Sequence, residues 1–406
     1  MPVNLSAPGS LLPINGVEIG VAESNIRYQG RDDLVLMTLA SNSTVAAVYT
    51  QNKYCAAPVL LCKEHTAQQA TRALLINAGN ANAGTGTQGM KNAKQSCEMV
   101  AQAIACEAQA VLPFSTGVIG EQLPMEAVQK GIKIASENLK SDNWSAAAAA
   151  IMTTDTVAKA ISKQVVIDGK TITITGITKG SGMICPNMAT MLGYVATDAN
   201  IEQATLQAML SKANDQSFNR ITVDSDTSTN DALVLVATAK ADNPKIESLD
   251  SNASNTFYQA LQEVLIHLAT SIVRDGEGAT KFVKVSVGSG ASEQDCESIA
   301  YSVAHSPLVK TALFASDPNW GRILAAIGKA PVEQLVIEKV DININGVTLI
   351  ESGEPAKSYT EEQGQEVFNQ SEIQIAIQLN LGDADYHVWT SDLSHDYVSI
   401  NADYRS

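Results

Sequence analysis

The chain has 406 residues, 45% of them hydrophobic, and a formal net charge of −16 at pH 7. That length and composition suit a globular enzyme with a large core, and the acidic balance argues against nucleic acid or another polyanion as a partner. Met1-Pro2-Val3-Asn4-Leu5-Ser6 has neither a basic n-region nor an apolar h-region, and no apolar run reaches the roughly 18 residues of a membrane span, which points to the cytoplasm and away from membranes.

The opening third alternates short strand-like runs with Gly and Asn turns. Leu34 to Leu39 and Thr44 to Tyr49, joined by Ser41-Asn42-Ser43, predict a hairpin. Ala73 to Ile76 predicts a strand that empties into the small-residue loop Asn77-Ala78-Gly79-Asn80-Ala81-Asn82-Ala83-Gly84. Without a following Lys-Ser/Thr this is no Walker motif, and the glycines suit a close approach of backbone to backbone. Lys91 to Ala110 and Met125 to Leu139 carry apolar residues near helical spacing. Between them lies Phe114-Ser115-Thr116-Gly117-Val118, read as a turn. A Thr hydroxyl beside a Gly amide suits an oxyanion hole for acyl transfer, and equally suits a plain structural turn.

Trp144 to Met152 favours a helix and runs into Thr153-Thr154-Asp155-Thr156, hydroxyls and a carboxylate that could contact a polar substrate or cap a helix. Gln164 to Ile167 and Lys170 to Ile177 alternate with period two around Asp168-Gly169, a hairpin that delivers Lys179 to the next loop. That loop, Gly180-Ser181-Gly182-Met183-Ile184-Cys185-Pro186-Asn187-Met188-Ala189-Thr190, leads into an apolar strand at Met191 to Ala196. A cut between Ala189 and Thr190 would free an α-amine of pKa roughly 7.7–8.0 on the residue that carries the hydroxyl, creating nucleophile and base together. The same spacing also fits a turn whose Thr bonds to nearby backbone.

Farther on, Ile201 to Ala213 predicts a helix, Asp224 to Asp231 a satisfied polar loop rather than a cation site, and Ala232 to Ala239 a buried strand. A long helix over Asn255 to Val273 ends in Asp275-Gly276-Glu277-Gly278-Ala279-Thr280-Lys281, where two glycines free the backbone to aim Glu277. A strand from Phe282 to Val287 follows, and Ser316 to Arg322 reads as a turn into a helix at Ile323 to Ile327, its Arg322 available to pair with a carboxylate. Leu335 to Ile344 and Val347 to Ile350 predict a hairpin, and Glu372 to Leu379 a last alternating strand. Six cysteines without a C-x-x-C pair and five histidines without ligand spacing predict neither disulfide framework nor metal. No G-x-S-x-G elbow is present. The mixture of strands, glycine turns and amphipathic helices predicts an α+β layered fold.

Lys179-Gly180-Ser181-Gly182-Met183-Ile184 with Pro186-Asn187-Met188-Ala189-Thr190-Met191-Leu192 resembles the self-cleavage segment of the ornithine acetyltransferase family, also called glutamate N-acetyltransferase or ArgJ, of arginine biosynthesis. Cys185 stands where that family often has Ala; Cys is also small and apolar. The Asn77 to Asn82, Asp275 to Lys281 and Ser316 to Arg322 runs are similar to further family motifs, and the likeness reaches the last residue. The resemblance implies the fold of the self-processing aminopeptidase DmpA, with α (1–189) and β (190–406) chains associated as α2β2. It implies Thr190 as nucleophile, Thr116 and Gly117 as oxyanion donors, and Thr154, Lys179, Thr190, Glu277, Asn401 and Ser406 as substrate contacts. N-acetylornithine and glutamate are the implied substrates, no cofactor is needed, and acetyl-CoA is an open second donor. An amide hydrolase or aminopeptidase on the same scaffold, and a non-catalytic small-ligand binder, are the rival readings.

Overall fold

The computed structural model describes residues 2–185 and 191–402. It is an α+β structure with two compact units: Ala7–Asn219 with Asp226–Ile272, and Met1–Ser6 with Arg220–Ser225 and Val273–Ser406.

The first unit is built on two sheets. Strands β1 (Val17–Ala22), β2 (Leu34–Leu39), β4 (Ala73–Asn80) and β5 (Val111–Val118) form one, in the order β1-β2-β4-β5. The other has the order β3-β9-β8-β7-β6, from β3 (Thr44–Tyr49), β6 (Lys159–Ile167), β7 (Lys170–Lys179), β8 (Leu192–Thr197) and β9 (Ala232–Ala237). Their inner faces share one core, in which Met37, Ile76 and Phe114 of the first sheet meet Ile177, Tyr194 and Val234 of the second. Helix α4 (Trp144–Ala150) adds Trp144 and its small alanines to that core.

Helices α1 (Ala57–Gln68), α2 (Gly86–Ile104) and α3 (Met125–Glu137) cover the outer face of the first sheet. Val128, Ile132 and Ala135 of α3 recur every three or four residues, so one stripe of the helix is buried. Helices α5 (Gln203–Asp215) and α6 (Asn252–Arg274) lie on the second sheet: Gln203 and Gln207 bond the backbone of Val45 and Ala47, and Val264 and Leu268 crowd Gly176. The layers therefore run helix, sheet, sheet, helix.

The hairpin around Asp168-Gly169 has the predicted register, Ile167 opposite Lys170, and both turn residues have positive φ. Leu34 to Tyr49 does not form the predicted hairpin. Its two halves are strands with the expected limits, but β2 pairs with β1 and β4 whereas β3 pairs with β9 in the facing sheet. Leu34, Val35, Leu36 and Met37 are buried on both faces of the strand and need a partner on either side, and Ser41-Asn42-Ser43 carries the chain across between the sheets.

The second unit has one mixed sheet. Its order is β13-β12-β11-β14-β10-β15, from β10 (Phe282–Gly290), β11 (Asp341–Ile344), β12 (Val347–Glu351), β13 (Glu354–Pro355), β14 (Glu372–Gln378) and β15 (Ala384–Ser391). Helices α7 (Glu293–Ala304), α8 (Pro307–Phe314), α9 (Trp320–Gly328) and α10 (Glu361–Phe368) pack on it through Ile299, Val309, Ile323 and Phe368. Helix α11 (His395–Ala402) follows the last strand. The predicted strand from Leu335 begins only at Asp341, after a 3-10 turn at Ile337–Lys339. Among the described residues Arg322 pairs with no carboxylate; its guanidinium donates to the Leu308 carbonyl at 2.8 Å and to the Thr311 hydroxyl at 3.3 Å. A planar fork meets a helix carbonyl as readily as a carboxylate.

Lys310 of α8 is buried, donating to the Thr390 hydroxyl at 3.0 Å and to the Ser391 carbonyl. Burial pushes its ammonium down to about 8 from 10.5, although Asp392 and Asp224 pull the other way. Between those two values the unfolded chain holds more of this proton than the folded one, so the group's contribution to stability rises with pH across that window. Unfolding free energies from urea titrations between pH about 8 and about 10.5 should climb more steeply for the wild type than for Lys310→Met, by up to about 3 kcal/mol over the window.

Candidate functional site

Thr116 and Gly117 sit near the end of β5, on strand rather than on the predicted turn. The parallel ladder sets Ala78 against Thr116 and Gly79 against Gly117, then breaks register at Asn80. Gly117 has φ +131°, and a Cβ there would lie 2.2 Å from the Gly79 carbonyl carbon. Glycine is required at 117 by conformation and by space together. This is the close approach of backbones that the Asn-Ala-Gly run suggested.

Buried amides hold that approach. Asn77 donates to the Asn80 carbonyl at 2.8 Å and accepts from the Ser115 hydroxyl at 2.6 Å. The Asn80 side-chain oxygen accepts from the Asn82 amide at 2.8 Å. Asn230, just ahead of β9, donates to the carbonyls of Ala81 at 2.6 Å and Ser115 at 2.9 Å, tying both strands at the level of Thr116. Each of these groups is buried, and losing one partner would leave another unpaired at about 1–3 kcal/mol. Nothing in the sequence set Asn230 apart from its polar neighbours.

Lys179 is the last residue of β7 and pairs with Leu192, the first of β8. Its side chain is buried, and its ammonium donates to the Thr116 hydroxyl oxygen at 3.3 Å. Thr154, half-buried after α4, shares a 2.7 Å hydrogen bond with the Ser181 hydroxyl. Asp155 caps no helix. One oxygen accepts from the Lys159 ammonium at 2.6 Å and from the Gly180 amide at 2.8 Å, and the other from the Thr153 amide at 3.0 Å. Burial alone would raise the Asp155 carboxyl, but Lys159 chiefly, then Lys179 and the Gly180 amide, hold it well below the usual carboxylate range. Asp155 and Lys159 lie four residues apart but share no helix, since Lys159 opens β6, so helical spacing does not account for their contact. Ala189, Thr190 and Ser406 lie outside the described residues.

In the second unit Glu277 is buried in the segment between α6 and β10. Asn401 of α11 donates to its carboxylate at 2.7 Å, which brings these two predicted substrate contacts together. Asp392 fixes the segment by accepting from the Thr280 and Lys281 amides at 2.8 and 2.9 Å and from the Thr280 hydroxyl at 2.5 Å. The Ser394 hydroxyl donates to the Gly278 carbonyl at 2.7 Å. Among the described residues no cluster of three or more His, Cys, Asp or Glu side chains is placed to hold a metal ion.

In chemical terms the first unit offers a hydroxyl and a glycine amide on a rigid strand end beside a buried ammonium, an arrangement suited to negative charge on a carbonyl oxygen. The second offers a carboxylate already held by an amide, suited to a cationic amine.

The family model of the ArgJ family matches residues 18–406. The chain is 51% identical to the arginine biosynthesis bifunctional protein ArgJ of Pseudomonas syringae pv. tomato over 406 residues, 100% of each chain. Among solved structures it is similar to the arginine biosynthesis bifunctional protein from Bacillus halodurans, at 40% identity, covering 50% of this chain and 95% of that one with a TM-score of 0.48. It is also similar to ornithine acetyltransferase from Mycobacterium tuberculosis complexed with ornithine, at 30% identity, covering 45% of this chain and 97% of that one with a TM-score of 0.39.

Gly117→Ala should force the ends of β4 and β5 apart. We expect a loss of roughly 2–4 kcal/mol in chemical denaturation, from backbone strain and contact combined.

Proposed function

Since the chain belongs to the ArgJ family, we propose that it moves the acetyl group of N2-acetyl-L-ornithine to L-glutamate in arginine biosynthesis, through an acetyl ester on Thr190. The full-length likeness to a curated relative carries this reading, and the hydroxyl of Thr116 set beside Gly117 and the Lys179 ammonium supports its chemistry.

The chain first cuts itself. Thr190 Oγ attacks the Ala189 carbonyl, the peptide C–N bond breaks as the acyl group shifts to oxygen, and water hydrolyses the ester. A free hydroxyl and a free α-amine remain on Thr190. In transfer, the amine accepts the hydroxyl proton as Oγ attacks the acetyl carbonyl. The Thr116 hydroxyl and the Gly117 amide donate to the oxyanion. Collapse breaks the C–N bond, the proton passes to the departing ornithine amine, and the acetyl ester is left behind. Glutamate's amine then attacks that ester by the same steps in reverse. Lys179 faces a substrate carboxylate, Glu277 with Asn401 a substrate ammonium, and Thr154 and Ser406 complete the substrate contacts.

Acetyl-CoA is the second donor in this reading. Its thioester acylates Thr190 with release of the thiol, in keeping with the word bifunctional in the relative's name. No resident cofactor takes part. The α (1–189) and β (190–406) segments stay joined, because β8 and β9 of the later segment lie between β3 and β7 of the earlier one in a single sheet. We place the enzyme in the cytoplasm as an α2β2 assembly. None of the described helices is long and apolar enough to cross a membrane.

Intact-mass and N-terminal analysis should find two fragments in the wild type, one beginning at Thr190, and one whole chain in Thr190→Ala, which should also lack transfer. An uncut, inactive wild type, or free acetate as the main product with glutamate present, would overturn the reading. Thr116→Ala should lower kcat for transfer by about 10²–10³-fold, as for other oxyanion donors.

A further inference from the structure

Both side chains of the Asp155–Lys159 pair have 0% exposure. Taking two ions out of water costs several kcal/mol each, and such a pair seldom adds stability over a well-packed apolar one. What this pair does is local. The Asp155 oxygen that meets Lys159 also takes the Gly180 amide, while neighbouring Thr154 holds Ser181. The two residues that follow Lys179 are thus gripped from one side, and Lys179 itself is paired to Leu192 on the other. Its backbone has little freedom left, and its ammonium is delivered to the Thr116 hydroxyl oxygen.

The direction of that last bond matters. An ammonium can only donate, so the Thr116 oxygen must accept from it, and the single O–H proton of Thr116 must go elsewhere. A hydroxyl that accepts a charge-assisted bond is a stronger donor in turn. The charges agree: Lys159, and then Lys179, keep the Asp155 carboxyl ionised against its burial.

We propose that Asp155 is a positioning residue for acetyl transfer: paired with Lys159 and bonded to the Gly180 amide, it sets the Lys179 ammonium on the Thr116 oxygen and so turns the Thr116 proton toward the reacting carbonyl. The inference rests on the acetyltransferase reading and adds a residue that acts through Lys179 without touching substrate.

The test is a double-mutant cycle in the full-length, self-processed enzyme, with kcat expressed per matured active site counted by the acetyl-enzyme burst. Asp155→Asn should lower kcat about tenfold in the wild type and in Thr116→Ser, which keeps the hydroxyl, yet less than about twofold in Thr116→Val, which lacks it. An equal loss in all three backgrounds would make Asp155 merely structural and defeat the proposal. Because Asp155→Asn strands the Lys159 ammonium, the cycle is repeated with Asp155→Asn/Lys159→Met, which buries no unpaired charge. If that form neither folds nor matures, the pair is holding up the fold and the proposal fails. A wild type that transfers acetyl while the cycle proves additive sinks this inference alone; a wild type without transfer takes the underlying reading with it.

Discussion

The structure depends on one ladder, the antiparallel pairing of β7 with β8 from Ile174 opposite Thr197 to Lys179 opposite Leu192. It closes just where the linker toward Thr190 begins, so the sheet ends at the place where chemistry is expected. Tyr194 of β8 meets Phe114 of β5 edge to face, with ring centroids 5.2 Å apart. That contact fixes the distance between the sheets two residues before Thr116. Register in one sheet and packing against the other together locate the Lys179 ammonium on the Thr116 hydroxyl to within a hydrogen bond.

Around this frame the polar interior is unusually specific. Asn77, Asn80, Asn82 and Asn230 sit where an apolar core would be simpler: Asn77 and Asn230 bond carbonyls at the ends of β4 and β5, Asn80 the Glu121 and Gln122 carbonyls, and Asn82 the Gly89 carbonyl of α2. The parallel strands β4 and β5 lose register at Asn80, so their carbonyls and amides need side-chain partners there. The irregularity that turns Gly117 into φ-positive backbone and the amides that satisfy it are two sides of one solution.

Much of this was legible in the sequence, for identifiable reasons. Period-two alternation and an Asp-Gly turn gave the β6–β7 hairpin, and apolar spacing gave α3, α5 and α6, because each signal is local. The separation of β2 from β3 was hidden, since pairing partners far along the chain decide it. Helix α7, by contrast, carries a local stripe, Cys296, Ile299, Ala300 and Val303 behind the N-cap Ser292, as legible as those of α3, α5 and α6. The long motifs pointed to Thr116, Gly117, Lys179, Glu277 and Asn401 only through family resemblance. The geometry then brought Lys179 to Thr116 and Asn401 to Glu277. Asn230 had no such signal, and Asp155 stood out only as a possible cap or substrate contact, because a buried carboxylate or amide is recognised by what folds around it.

The strand order β3-β9-β8-β7-β6 has a further bearing on the life of the molecule. As one covalent chain, the two inner strands find their neighbours by an intramolecular search whose rate is independent of concentration. After the proposed cut the same sheet is made of two polypeptides, and reassembly from the unfolded state becomes a second-order encounter. The mature enzyme would then persist by the height of its unfolding barrier rather than by the ease of its return, so self-cleavage would act as a ratchet: the precursor can fold repeatedly, the product effectively once.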